Sequence, residues 1–367
     1  MKARIAELTG LRCLAVMMVV FAHASATVAG GYTGWLQPLN FFTNGGLGVQ
    51  IFFVLSGFLI TNILNSEWKA TQKIDLVRFY LRRTLRIWPA FYVFLVVLAF
   101  LTYRQVIDIA YEQFAFAALH VWNYSEALGL GPINAAHGDG TWYLGHFWTL
   151  ALEEQFYWFW PPLLIFLLRR RSERLLVLLI LSIPLIRIAS YFLVPSLRGQ
   201  LLMMLHTGVD SILIGCYTAL NQERIKTFLE SKKYSSALVT ASFIALIFLI
   251  PELGARLGGA WSVTYGATVT ASIVALIIMA VTTMKQFWLS RILRTRVFVF
   301  VGTISYSLYL WQQLFLFKQS PLAFAFPFNI VQAFAAATLS YWLIETPLLK
   351  IKDGLKKRNP PLARPTE

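Results

Sequence analysis

The sequence predicts an all-α polytopic membrane protein of about ten transmembrane helices, with both termini cytoplasmic. Three observations carry this. Of the 367 residues, 57% are hydrophobic and only 13% charged, against about 25% charged in soluble domains. Apolar runs close to the ~20 residues that cross a ~30 Å hydrocarbon layer recur along the whole chain. Finally, 27 of the 32 Lys and Arg fall in alternate connections, the asymmetry of the positive-inside rule. The net charge of +15 is therefore a topology signal and not a nucleic-acid footprint.

The first predicted span, residues 11–29, holds Arg12 and His23. Eleven residues turn a helix through about 1100°, three turns plus only ~20°, so both side chains face one way, roughly 16 Å apart along the axis. A lipid anchor with a packed histidine explains the pair. So does a functional face, since ionisable groups at that depth are costly. The Lys2 and Arg4 flank and the Ala24-Ser25-Ala26 end resemble a secretory signal, but Glu7, Arg12 and His23 interrupt it, and an uncleaved span is expected. In the second span, 46–65, Gly46, Gly48, Ser56 and Gly57 predict close helix packing; Ser56 as a nucleophile rests on Ser-Gly alone.

The remaining predicted spans are 87–104, 145–168, 175–194, 203–221, 234–251, 262–284, 298–318 and 328–349. With the N-terminus inside, the cytoplasmic segments are 1–12, 66–86, 169–174, 222–233, 285–297 and 350–367. Arg104, Arg198, Arg256 and Lys318 lie at outer ends, and Arg187 lies within a span. Residues 105–144 must then not cross, or every later basic loop changes side. They read as an outer or re-entrant helix followed by the Gly-rich stretch GLGPINAAHGDG, allowed where it lines a cavity. Trp122, Tyr124, Trp142 and Tyr143 there suit sugar stacking or an interfacial belt. Residues 1–351 read as one membrane domain and 352–367 as a basic cytoplasmic tail. Cys13 and Cys216 fall inside apolar runs and read as small buried side chains; no metal-ligand spacing, phosphate loop or internal repeat is present.

Counting ~1.5 Å per residue puts His23, Glu154, Arg187 and Asp210 at one depth near the bilayer middle. Arg187 and Asp210, on consecutive antiparallel spans, are expected to form a structural ion pair. His23 with Glu153 or Glu154 is the expected catalytic pairing, a carboxylate orienting an imidazole as general base. On the cytoplasmic side, Arg78, Arg82, Arg83 and Arg86 form a cluster suited to phosphate recognition or to a plain topology signal. Glu345 lies at the same level as Arg12, within reach of a contact.

Six blocks in order carry a resemblance: RIAELTGLRCLAVMMVVFAH, GVQIFFVLSGFLI, RRTLRIWPAFY, HFWTLALEEQFYWFWP, GTISYSLYLWQQ and YWLIETPLLK. Together they resemble the membrane-bound acyltransferase family 3, bacterial O-acetyltransferases of lipopolysaccharide, exopolysaccharide and other glycans. The resemblance implies acyl transfer from cytoplasmic acetyl-CoA to a hydroxyl of a glycan or lipid-linked sugar at the outer side of the inner (plasma) membrane. It implies no metal and no nucleic acid; membrane lipid and polysaccharide assembly machinery are the implied partners. By motif it makes Arg12 and His23 essential, sets an Arg-x-x-Arg on Arg83 and Arg86, and sets a Glu-x-Pro on Glu345 and Pro347. Members often carry His where Gln312 stands. The chain would be the stand-alone membrane type, without an esterase-like domain. The expected arrangement puts donor phosphates on Arg82, Arg83 and Arg86, Arg12 and Glu345 at the inner entrance, and His23 as base or acyl carrier. A transporter or flippase of a small anion or lipid-linked sugar also fits a polar mid-membrane layer with a basic inner mouth.

Overall fold

A computed structural model describes residues 2–129, 141–231, 234–284 and 287–357. The described residues contain helices and turns and no strand. The helices that position the site and its frame are α1 (Lys2–Ser25), α2 (Gly45–Thr71), α3 (Leu76–Tyr103), α4 (Phe147–Arg170), α5 (Glu173–Leu193), α6 (Asp210–Leu220), α7 (Gly266–Thr283), α8 (Arg296–Thr303), α9 (Ser305–Phe315) and α10 (Phe328–Ser340). Their starts follow local chemistry. The Asn44 side chain accepts from the Leu47 amide at α2, and Asp75 accepts from the Arg78 amide at α3, each at 2.9 Å.

Among the described residues, six helical stretches are long and apolar enough to cross a membrane: Ala6–Ser25, Gly34–Thr71, Leu76–Tyr103, Glu173–Leu193, Ser235–Leu257 and Gly266–Thr283. The other predicted spans are helical but altered. The 145–168 stretch is the continuous α4, made polar by Glu153 and Glu154. The 203–221 stretch holds only the four-residue Leu205–Gly208 turn and the short α6. The 298–318 stretch breaks at Ile304 into α8 and α9. The 328–349 stretch widens after α10 into a π-helical turn, Tyr341–Glu345, before helix Thr346–Lys357.

The 105–144 segment supplies the helix Tyr111–Ala118. Eight residues extend only ~12 Å, far short of the hydrocarbon thickness. The chain then turns through Trp122–Tyr124. Trp122 is fully buried and Tyr143 nearly so, which removes both from the predicted sugar platform or interfacial belt. Their rings pack into the protein because the segment folds onto α3, α4 and α9. Residues 130–140, most of the Gly-rich stretch, lie outside the described residues, as do 358–367 of the tail.

α1 is the hub, touching α2, α7, α8, α9 and α10. Polar groups on α1 therefore meet protein on most sides. The tightest crossings use glycine. A Cβ on Gly57 of α2 would strike the Ile212 carbonyl of α6, and one on Gly215 of α6 would strike the Val54 carbonyl of α2. Gly46 has no such neighbour, so only part of the predicted small-residue face makes a close contact. Cys13 and Cys216 are buried and unpaired. Arg187 is fully buried: its Nη2 lies 2.7 Å from Asp210 Oδ2, its Nε donates to the Thr207 carbonyl at 2.7 Å, and Thr268 donates to the same Asp210 oxygen. This pair ties α5, α6 and α7 together.

Candidate active site

α1, α2, α3, α4, α8, α9 and the π-helical turn line a cavity of about 100 Å3. Three guanidinium groups line it: Arg12 from α1, and Arg83 and Arg86, one turn apart on α3. Three carboxylates face them: Glu153 and Glu154 of α4, and Glu345. Glu345 closes the π-helical turn, whose wider coil re-aims the residues after it, and it accepts from Ser307 at 2.5 Å.

The partnering is uneven. Glu153 is held by Ser56 at 2.8 Å, by Tyr157 one turn on at 3.0 Å, and by Arg83 at 3.7 Å. Arg83 also lies over the Tyr157 ring, 3.6 Å from its centre. Glu154 accepts from the Trp88 indole at 3.3 Å, and its other oxygen is buried without a partner. Among the described residues, Arg12 and Arg86 make no hydrogen bond or ion pair. Two cavity-facing guanidinium groups thus have donors to spare, the condition for binding an anion.

Several sequence expectations change here. His23 pairs with neither Glu153 nor Glu154. Its Nδ1 lies 2.8 Å from Gln312 Oε1, and its ring meets Trp142 edge-on at 5.2 Å. The two α4 carboxylates turn instead toward α2 and α3. Arg82 does not line the cavity. It lies ~100° around α3 from Arg83 and sits 4.0 Å from Glu67 on the protein's flank. Ser56 is not only a packing residue, since it lines the cavity and holds Glu153. Arg12 and Glu345 share the cavity without forming an ion pair.

Residues the sequence reading passed over complete the picture. Tyr306 and Tyr309 carry the cavity wall along α9, and Gln312 and Gln313 continue that stripe to His23. Tyr309 shares a 2.7 Å hydrogen bond with Thr149, and both line the cavity. His146 lies beside Tyr309 with both ring nitrogens buried and unpartnered among the described residues. Polar side chains recurring at Ser305, Tyr306, Ser307, Tyr309, Gln312 and Gln313 in a membrane helix were the available signal.

Residues 5–345 match the family described as Acyltransferase domain, the acyltransferase-3 family. The chain belongs to the acyltransferase-3 family. It is 29% identical over 367 residues to the O-acetyltransferase OatA of Staphylococcus aureus (strain NCTC 8325 / PS 47), covering 94% of this chain and 57% of that protein. It is likewise 29% identical over 380 residues to SACOL0978 of Staphylococcus aureus (strain COL), whose name gives O-acetyltransferase as a provisional assignment, covering 96% of this chain and 58% of that protein. The chain thus spans somewhat over half the length of these curated relatives. No solved structure matches it.

Proposed function

We propose that this chain transfers an acyl group, acetyl in the first instance, from cytoplasmic acyl-CoA to a hydroxyl of a glycan or lipid-linked sugar at the outer side of the inner (plasma) membrane. Ten helical spans with both termini cytoplasmic complete this reading. The observation that carries it is the pair of unpaired guanidinium groups, Arg12 and Arg86, beside Arg83 in one internal cavity. Planar guanidinium groups suit bidentate contacts to phosphate. The cavity lies at the end of α3 where basic residues concentrate, the side from which a CoA ester arrives. Membership of a family of acyltransferases and the O-acetyltransferase names of its relatives support the chemistry.

In this reading the donor phosphates sit on Arg12, Arg83 and Arg86, and the thioester reaches His23. The His23 imidazole takes the acceptor hydroxyl's proton as that oxygen bonds to the thioester carbon. The C–S bond breaks and the imidazolium returns its proton to the departing thiolate. The products are an O-acyl ester and free CoA thiol, with His23 neutral again. Glu153 and Glu154 hold Arg83 and Trp88 in place.

The test uses purified protein in detergent with acetyl-labelled acetyl-CoA and a hydroxyl acceptor. Wild type is expected to release thiol and pass label to the acceptor. The His23→Ala variant should remain folded and lose transfer. Full transfer by His23→Ala, or uptake of label into vesicles without thiol release, would overturn the reading; the latter would favour transport.

A further inference from the structure

We propose that Gln313 and Gln312 form an amide relay that fixes which nitrogen of His23 carries the proton, leaving Nε2 as the reactive atom. The relay starts from a group with only one polarity. The Trp142 backbone carbonyl can only accept, so the Gln313 side-chain atom 2.7 Å from it is the amide nitrogen. That leaves Gln313 Oε1 facing Gln312, and the Gln312 atom 2.9 Å from it is therefore also a nitrogen. Gln312 Oε1 then faces His23 Nδ1 at 2.8 Å. An amide oxygen cannot donate, so Nδ1 must hold the hydrogen. The neutral imidazole has one N–H, so Nε2 keeps its lone pair.

Burial makes this assignment firm. Gln312 is fully buried and Gln313 has 1% of its surface exposed. Turning over either amide would oppose two acceptors or two donors at hydrogen-bond distance, which is costly for buried groups. The anchor is itself held, because the Trp142 indole donates to the Gln313 carbonyl at 3.0 Å and its ring stacks on Phe317 at 5.0 Å. Trp142 also meets His23 edge-on, so one residue sets both the ring's tilt and, through two amides, its tautomer.

Gln312 and Gln313 are thus positioning residues acting through His23. The consequence for catalysis rests on the acyl-transfer reading; the tautomer does not. An amide orients the imidazole as a carboxylate does, but without a charge that would hold the ring protonated. A base that must start neutral, or a nitrogen that must attack a thioester, gains from that difference.

The experiment is nitrogen NMR of the full chain in detergent with ring-15N histidine, His23 being identified by its contact with the Trp142 indole and by signal loss in His23→Asn. Wild type is expected to show protonated Nδ1 and bare Nε2. Gln313→Leu, which cuts the relay from its carbonyl, should give a mixture of tautomers. Gln312→Glu keeps an acceptor at Nδ1 and adds charge, so the acid limb of its transfer rate should move to higher pH. Gln312→Leu should lower kcat at least 10-fold with the KM for acetyl-CoA unchanged, kcat being counted per acetyl-CoA site titrated by equilibrium binding, which removes any misfolded fraction. Protonated Nε2 in wild type, or an unchanged tautomer in Gln313→Leu, would overturn the relay. Bare Nε2 in a wild-type protein that transfers no acetyl would uphold the relay and remove the acyl-transfer reading alone.

Discussion

Arg82 and Arg86 are four residues apart on α3 and look equivalent in sequence, yet the fold separates them. Arg86 lines the cavity without an ion-pair partner, whereas Arg82 is 22% exposed and 4.0 Å from Glu67. Replacing each with Met keeps much of the apolar stem and removes the charge. A hydrogen bond to a charged group contributes about 1.5–3 kcal/mol, and ~1.4 kcal/mol is tenfold in an equilibrium constant. Arg86→Met should therefore weaken acetyl-CoA binding by roughly 10- to 150-fold. An exposed ion pair contributes about 0–1 kcal/mol, so Arg82→Met should change binding by no more than about fivefold. Equilibrium binding of labelled acetyl-CoA to both purified variants reads the difference. Equal losses in the two, or no loss in Arg86→Met, would refute the assignment of the donor phosphates to this cavity.

Two further outcomes concern the frame. Arg187→Met leaves Asp210 buried without its cation, and breaking such a pair costs about 3–5 kcal/mol; a thermal scan in detergent should show the loss, and adding Asp210→Leu should recover most of it. Gly57→Ala places a methyl against the Ile212 carbonyl, a backbone atom that cannot swing away, and overpacking of this kind costs about 1–3 kcal/mol; size-exclusion and melting profiles should show a less stable protein, and an unchanged profile would mean that α2 and α6 do not cross so closely.

The helices were legible because each apolar run is itself the signal, and the Arg-x-x-Arg spacing placed Arg83 and Arg86 on one face. What could not be read was azimuth. Residue counting puts His23 and Glu154 at one level, but which helices stand beside α1 is set by long-range packing, and α9 with its two glutamines supplies the partner expected from α4. Ranking by formal charge also hid the partner, because the group that meets His23 is a neutral amide. Two adjacent glutamines in SYSLYLWQQLF are nearly as conspicuous in lipid as a carboxylate, as neither amide has water to bond there. Glu345 is legible from its level and motif, but the π-helical turn that carries it, Tyr341–Glu345, has no signal in residue counting.

For the proposed transfer, the arrangement of α9 sets the central mechanical problem. Tyr306 and Tyr309 belong to the cavity, while Gln312 belongs to His23, and a rise of ~1.5 Å per residue puts Tyr306 and Gln312 only about 9 Å apart. The donor's anionic end and its reacting carbon thus occupy neighbouring compartments served by one helix. On the cavity wall Tyr309 shares a hydrogen bond with Thr149 and also reaches the His146 carbonyl at 3.3 Å. A neutral hydrogen bond contributes about 0.5–1.5 kcal/mol net, so parting this pair costs far less than parting a buried ion pair. In the proposed transfer, charged residues would hold the phosphate end, and the neutral hydroxyl and amide groups of α9 would face the thioester. The buried charges that do form a strong pair, Arg187 and Asp210, are absent from the cavity lining and lie in α5 and α6, tied through Thr268 to α7, which packs on α1.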